Sequence, residues 1–248
     1  SGEWVVAADA DTTIRVLYLH GGGFVSGCGG YYLAMAAHLS AAAHCAVLLL
    51  DYRLAPEHPF PAAIEDSVRS FESMVTAGPN GSTQAESCFI AGDSAGGGLT
   101  LSTLLALRDR LRPLPQGGIA LSAFADLTLT GESLRSQESS DPIMSPRCLP
   151  QFVGHYLGDA DPKNPYASPI YADYTGIPPL LLQVGEHEII RTDSVLAAAK
   201  ARSCGVDTTL EIWPGMFHVF PSHEPLLPEG EQAIEHMAAF IRRHKSTA

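Results

Sequence analysis

The chain has 248 residues, 46% of them hydrophobic, which is enough to bury a complete core; one compact α/β domain spanning 1–248 is the simplest interpretation. Its formal net charge of −12 argues against a nucleic-acid-binding surface, because contacts to phosphates require clustered Lys and Arg side chains. No apolar run is long enough to span a bilayer, so we expect no transmembrane segment.

The first half of the chain alternates predicted strands and helices. A strand around Trp4 is followed by the strand 15–20, the helix 31–43, the strand 46–50, the helix 61–75, the strand 88–91 and the helix 99–111. The run 46–50 is apolar throughout, as expected of a central parallel strand that is covered on both faces.

The second half continues this alternation around one irregular segment. The strand 119–124 precedes the strand 180–185, the helix 191–203, the strand 209–213 and the helix 231–243. Between the strands 119–124 and 180–185, residues 126–179 are rich in Ser, Pro, Asp and Gly, with one short helix predicted at 149–157. The pattern predicts a mostly parallel sheet with helices on both faces, and the irregular segment is interpreted as a cap or lid above it.

A Gly-x-Ser-x-Gly pattern lies where the strand ending at Ala91 gives way to the helix. A serine hydroxyl is a weak nucleophile unless a neighbouring base takes its proton, and it must project clear of its own backbone to reach a carbonyl. Gly92 and Gly96 leave room for such a sharp turn around Ser94 because neither carries a Cβ atom. By itself the pattern also fits an ordinary glycine-rich turn, so partner residues must decide.

Two further predicted strands end near residues that could serve as such partners. Acidic residues follow Val184, and His218 follows Trp213. Ligands bind at the carboxyl ends of parallel strands, so these loops should converge on Ser94. The chain order of serine, acid and histidine is that of the α/β hydrolases.

Three motifs together resemble the hormone-sensitive-lipase family of esterases, in its Gly-Asp-Ser-Ala-Gly branch. They are His-Gly-Gly-Gly at 20–23, Asp-Tyr-Arg-Leu-Ala-Pro-Glu at 51–57 and Gly-Asp-Ser-Ala-Gly-Gly at 92–97. The resemblance runs from about Arg15 to the C-terminus. It implies the α/β-hydrolase fold and a serine carboxylesterase that acts on short- to medium-chain acyl esters through an acyl-enzyme, with neither cofactor nor metal.

The resemblance also implies a role for individual residues. Ser94 would be the nucleophile and His218 the base, while the backbone amides of Gly22, Gly23 and Ala95 would form the oxyanion hole. His20 would orient the glycine loop without transferring protons. Four apolar residues suit an acyl pocket or an ordinary core: Phe24, Leu149, Phe152 and Phe217.

The catalytic acid is predicted as Glu188, with Asp193 and Glu186 as alternatives. Family members usually carry Asp at this position, and the apolar pair 189–190 aligns Glu188 with it. A glutamate can hold the imidazole tautomer if the loop accommodates one more methylene. Any of these carboxylates could instead favour a helix N-terminus through the helix dipole.

The start of the chain departs from the family pattern. Members usually begin with extra N-terminal helices, so either these lie outside this sequence or the cap is reduced to residues 126–179.

Amide or lactone hydrolysis by the same residues is an alternative activity. A ligand-binding receptor is the alternative from another class, but the plant gibberellin receptors that resemble this family lack the histidine that His218 provides here.

Assembly and location are also predicted. The resemblance makes a homodimer plausible, formed through the predicted edge strand 209–213, and an ester is the expected small-molecule partner. The five cysteines are odd in number and scattered, with no Cys-x-x-Cys pair, which favours free thiols and a cytoplasmic location. Metal-ligand spacing is absent, since His187-Glu188 is not followed by a second histidine three residues on.

Overall fold

A computed structural model describes residues 1–224 and 226–246. Within these residues one sheet contains seven strands: β1 (Gly2–Val6), β2 (Asp11–Leu19), β3 (Cys45–Leu50), β4 (Ser87–Asp93), β5 (Gly117–Leu121), β6 (Leu180–Gly185) and β7 (Thr208–Trp213). Their order across the sheet is β1-β3-β2-β4-β5-β6-β7. All neighbours are parallel except β1, which pairs antiparallel with β3 at one edge.

Helices cover both faces of this sheet. They are α1 (Leu33–Ala43), α2 (Ala62–Thr76), α3 (Ala95–Asp109), α4 (Ser133–Ser136), α5 (Leu149–Leu157), α6 (Arg191–Ser203) and α7 (Pro228–His244). Helices α1 and α7 pack together on one face, whereas α2, α3 and α6 contribute to the core on the other. The predicted architecture, a mostly parallel sheet between two helical layers, is confirmed.

The central strand β4 shows why the sequence folds this way. Side chains alternate across a strand, so Phe89 and Ala91 enter the core beneath α1 and α7, while Ile90 enters the core beneath α2 and α3. Every residue of β4 is buried. Because the strand is apolar on both faces, it needs helices on both, as the continuous apolar pattern predicts.

Two of the predicted boundaries that the structure shifts lie beside Ser94. Helix α3 begins at Ala95, four residues before the predicted start, because the glycines that suggested a loop lie against neighbouring backbone. A Cβ on Gly98, for example, would collide with the Phe124 carbonyl oxygen. Strand β5 ends at Leu121, three residues early, because Ser122 adopts a left-handed conformation with φ 47°.

The segment between β5 and β6, predicted to form a cap, contains α4, α5 and the 3₁₀ turn Pro169–Tyr171. Helix α5 is anchored by its buried residues Leu149, Tyr156 and Leu157, and the Tyr156 carbonyl accepts the Phe60 amide at 2.7 Å. Among the described residues, no helix has both the length and the apolar character needed to cross a bilayer.

Candidate active site

Ser94 occupies the sharp turn between β4 and α3. Its backbone has φ 52° and ψ −118°, a conformation that is strained for a residue with a Cβ atom. The turn is closed by the Ser94 amide, which donates to the Leu121 carbonyl at 2.8 Å, and by the Ser94 carbonyl, which accepts the Phe124 amide at 2.8 Å. The turn also requires glycine at its flanks, since a Cβ on Gly92 or Gly96 would collide with backbone oxygen atoms.

His218 and Glu188 lie beside Ser94 in a continuous hydrogen-bonded line. His218 Nε2 is 2.9 Å from Ser94 Oγ, and His218 Nδ1 is 3.0 Å from Glu188 Oε2. His218 follows β7 and Glu188 follows β6, so three loops at the carboxyl ends of strands meet, as the parallel topology predicts. Glu188 is fully buried, whereas Ser94 and His218 retain 8% and 6% exposure.

Glu188 favours the protonated form of His218. Burial by itself lowers the pKa of the His218 imidazole, but the hydrogen bond that His218 donates to Glu188 and the charges of Glu188, Asp141 and Asp93 outweigh it, so the net shift is upward. The contacts of Glu188 therefore favour the imidazolium form of His218 over the neutral ring.

A further residue of the site, Ser122, was missed by the sequence analysis. Its hydroxyl donates to Glu188 Oε1 at 2.8 Å and accepts the Val219 amide at 3.0 Å. It thereby connects the carboxylate to the residue after His218. The predicted strand 119–124 contained Ser122, so the local pattern assigned this residue to the sheet and gave no signal of its contact with Glu188.

Gly22 and Gly23 form a loop after β2 whose backbone has positive φ at both positions, 116° and 63°. Both residues line the same cavity as Ser94, and Ala95 is the first residue of α3. Within the described hydrogen bonds, the Gly22 carbonyl accepts the Val25 and Ser26 amides, while the amides of Gly22 and Gly23 have no acceptor. Two residues with unpaired backbone donors therefore line the cavity that contains Ser94.

A buried carboxylate, that of Asp93, supports this glycine loop. Asp93 accepts hydrogen bonds from the Tyr18 hydroxyl at 3.0 Å, the Tyr32 hydroxyl at 2.9 Å and the Gly21 amide at 3.1 Å. Burial raises the pKa of Asp93 to about 6, against the opposing effect of these bonds. Asp93 therefore braces the loop from below.

His20 lies behind the loop, away from the line that joins Ser94 and His218. Its ring stacks on Tyr52 with centroids 4.3 Å apart, and Nδ1 is 2.7 Å from the Gly21 carbonyl. Burial lowers the pKa of His20, so its ring is neutral and Nδ1 can donate to that carbonyl. These contacts support the orienting role that the resemblance implies.

The structure places the two alternative acids away from His218. Asp193 accepts the Ala125 and Asp126 amides, both at 2.9 Å, and Glu186 accepts the Gly215 amide at 2.9 Å. Burial raises the pKa of Asp193 to about 8. Of the three candidates, only Glu188 is within hydrogen-bonding distance of His218.

A cavity of about 310 Å³ opens over Ser94 and His218. Its apolar wall comes from both sides of the site: Phe124, Ile143, Met144, Leu149, Phe152 and Val219. Two of the four pocket candidates, Leu149 and Phe152, line it, whereas Phe24 and Phe217 do not. In the part of the chain that the structure describes, no three His, Cys, Asp or Glu side chains are grouped to hold a metal ion.

Comparison with known proteins identifies relatives of this chain over most of its length. A family model described as alpha/beta hydrolase fold matches residues 16–222. An acetyl-hydrolase of Streptomyces hygroscopicus is 40% identical over 243 residues, covering 98% of this chain and 79% of that protein. An esterase of Acinetobacter venetianus is 34% identical over 236 residues, covering 95% and 77%.

Solved structures are similar over the same extent. A crystal structure of EstE5 soaked with p-nitrophenyl butyrate has a TM-score of 0.92 at 44% identity, covering 98% of this chain and 81% of that chain. An esterase described as belonging to the bacterial hormone-sensitive lipase family has a TM-score of 0.93 at 42% identity, covering 98% and 80%. The chain therefore belongs to the alpha/beta hydrolase family, among the esterases related to hormone-sensitive lipase.

Proposed function

We propose that the chain hydrolyses short- to medium-chain acyl esters through an acyl-enzyme formed on Ser94. The observation that carries this proposal is the 2.9 Å contact between Ser94 Oγ and His218 Nε2 at the base of an apolar cavity. The hydroxyl, the base and the buried Glu188 are thus assembled before substrate arrives, which lowers the entropic cost of reaching the transition state.

In the first half-reaction, His218 Nε2 takes the Ser94 proton while Oγ attacks the ester carbonyl carbon. Glu188 keeps the other imidazole proton on Nδ1 and stabilises the imidazolium that forms. His218 then gives its proton to the leaving alcohol oxygen as the carbon–oxygen bond breaks, and the acyl group remains on Ser94. In the second half-reaction a water takes the place of the alcohol, and the carboxylic acid and free Ser94 result.

The amides of Gly22, Gly23 and Ala95 are proposed to stabilise the oxyanion of each tetrahedral intermediate. The glycine loop and the first turn of α3 both border Ser94, so donors approach from two elements. Removal of one such donor typically costs about 3 kcal/mol of barrier. Asp93 holds the Gly21 amide and so fixes the loop before charge develops.

The size of the cavity supports a preference for short acyl chains. A volume of about 310 Å³ lies at the lower end of the range for small-molecule sites. Phe152 limits it further, since its ring lies directly against Gly23. The names of similar proteins point the same way, one an acetyl-hydrolase and one an esterase crystal soaked with p-nitrophenyl butyrate.

Hydrolysis of p-nitrophenyl acetate, butyrate, octanoate and laurate by the wild type and Ser94→Ala tests the proposal. We expect wild-type turnover to be highest on acetate or butyrate and to fall about 10⁶-fold in kcat in the variant. Ser222→Ala is the matched control, because Ser222 lines the same cavity but bonds the Val219 carbonyl at 2.8 Å. A folded, inert wild type, or a variant that retains turnover, would contradict the proposal.

We propose that two copies of the chain associate through β7. This strand is last in the order of the described sheet, and Ile212 on it is 46% exposed, so backbone groups and an apolar side chain face outward. Light scattering should give twice the chain mass for the wild type and the chain mass for Ile212→Lys. A wild-type monomer at micromolar concentration would refute the dimer.

We propose a cytoplasmic location for the protein. All five cysteines are free, and Cys28 and Cys148 are exposed, a state that a reducing compartment maintains. Immunoblotting of cytoplasmic and secreted fractions of the source cell tests this. Recovery of the protein in the secreted fraction would exclude the proposed location.

A further inference from the structure

Asp141 connects two parts of the site that are far apart in sequence. It lies in the segment between α4 and α5, and its Oδ1 accepts the amides of Ile143 at 2.9 Å and Met144 at 3.0 Å. Its Oδ2 accepts the Ile189 amide at 2.9 Å. One carboxylate therefore uses both oxygens, one toward each part of the chain.

Both ends of this connection belong to the site described above. Ile143 and Met144 line the cavity over Ser94, and Ile189 directly follows Glu188. Ile189 is completely buried, so its backbone amide needs a partner within the protein, and Asp141 supplies it. The Ile189 carbonyl accepts a hydrogen bond from the hydroxyl of Ser133, the first residue of α4, at 2.7 Å.

We infer that Asp141 is a positioning residue that couples the wall of the substrate cavity to the loop carrying Glu188. The inference rests on the proposed function, because it assigns Asp141 a role in ester hydrolysis. While Asp141 makes its hydrogen bonds, the cavity wall at Ile143 and Met144 is held at a fixed distance from the hydrogen-bonded residues Glu188, His218 and Ser94. Without these hydrogen bonds, the cavity wall and Glu188 move independently. Substrate binding and the rate of proton transfer then both decrease.

Because Asp141 uses both carboxylate oxygens, a substitution that leaves only one acceptor distinguishes a positioning role from a role in stability alone. Asn has the size of Asp but a single acceptor oxygen, so Asp141→Asn can bond the 143–144 amides or the Ile189 amide but not both. Asp161, which lies after α5 in the same connection between β5 and β6, provides a matched control. Its Oδ1 accepts the Lys163 amide at 2.9 Å, an exposed bond that one asparagine oxygen can reproduce.

The experiment measures kcat and KM on p-nitrophenyl acetate, butyrate and octanoate for the wild type, Asp141→Asn, Asp141→Ala and Asp161→Asn, with thermal unfolding of each. For both Asp141 variants we expect kcat on acetate to fall about 10-fold at unchanged KM, because small displacements of catalytic groups are costly. On octanoate, which reaches the wall, KM should change as well. Asp161→Asn should match the wild type within twofold.

Each result separates this inference from the proposed function. If the wild type is active and the Asp141 variants equal it within twofold on all three esters, the coupling role is refuted while the esterase proposal stands. A loss in Asp141→Asn that only follows its unfolded fraction would likewise refute it. If the wild type is inert when folded, the proposed function fails, and the inference that depends on it falls too.

Discussion

The Ser122 hydroxyl lies 2.8 Å from Glu188 Oε1 and accepts the Val219 amide at 3.0 Å. Glu188 Oε1 also accepts the Gly185 amide at 2.5 Å, so this oxygen is fixed by two donors while Oε2 faces His218. A glutamate is longer and has more rotamers than the aspartate usual in the family. Ser122 and Gly185 remove that freedom, which explains how Glu188 can direct the imidazole.

Ser122→Ala should lower kcat about 10-fold with little change in KM, because the acid loses one of its fixed donors while the substrate cavity is unaltered. Steady-state kinetics on p-nitrophenyl butyrate measure this. Ser102→Ala is the control, since that buried hydroxyl bonds only its own helix, at the Gly98 carbonyl. An Ser122 variant within twofold of the wild type would show that Gly185 alone suffices to orient Glu188.

The pH profile of kcat/KM should show an acid limb governed by His218. The base must be neutral to accept the Ser94 proton, so activity falls as pH drops through its pKa. Because that pKa is raised above the ordinary 6.5, the midpoint should lie above pH 6.5. The groups responsible are Glu188, Asp141 and Asp93.

Glu188→Gln removes the charge of the acid and can leave at most a neutral hydrogen bond to His218, so both effects of Glu188 that raise the pKa of His218 weaken, while the opposing effect of burial remains. The acid limb should therefore move to lower pH, and kcat should fall by about 10⁴-fold because the tautomer is no longer enforced. Rates from pH 5 to 9 on p-nitrophenyl acetate check both effects. A limb that stays in place would mean that Glu188 does not control the imidazole.

Most of the fold was predictable because hydrophobic periodicity is strong in this chain. The strands 180–185 and the helices 149–157 and 191–203 were predicted with the boundaries that the structure shows. The start of α3 was not, since glycine weakens an isolated helix, and only the close passage of the β2 and β5 connections explains glycines in its first turn. That information is tertiary and absent from any local window.

In the candidate site, too, some residues were predictable from the sequence and others only from the fold. Ser94 and His218 follow from motif and chain order, and Glu188 was preferred to Asp193 and Glu186 by its alignment with the family pattern; the structure brings Ser94, His218 and Glu188 together. Ser122 and Asp141 act through bonds to residues 66 and 48 positions away, respectively, and nothing in their own neighbourhoods marks them. The contact of Asp93 with the Gly21 amide likewise depends on the fold.

Asp93→Asn should change the pH dependence of stability. The ordinary pKa of 3.8 applies in the unfolded chain and about 6 in the fold, so between these values the folded state keeps a proton that the unfolded state has released. The free energy of unfolding of the wild type therefore falls as pH rises through this window. Relative to the variant, the wild type should lose about 2 kcal/mol between about pH 4.5 and pH 7.5.

Urea unfolding of both proteins at the two pH values measures this difference. Asp66→Asn is a control of opposite sign: burial acts to raise the pKa of Asp66, but its bonds with Arg53 outweigh that and lower it, so its charged form is stabilising. A wild-type-minus-variant difference for Asp93 that stays constant with pH would mean that its carboxylate ionises as freely in the fold as in water.

Phe152→Ala should widen the acyl preference. The Phe152 ring lies against Gly23 and forms one wall of the cavity, so its removal opens space next to the glycine loop without touching Ser94. The ratio of kcat/KM on p-nitrophenyl octanoate to that on acetate should rise about 10-fold, since each added buried CH₂ contributes about 0.8 kcal/mol when it finds room. Val153→Ala, on the same helix but outside the cavity lining, should leave the ratio unchanged. A ratio that stays at the wild-type value in Phe152→Ala would mean that Phe152 does not limit the length of the acyl chain.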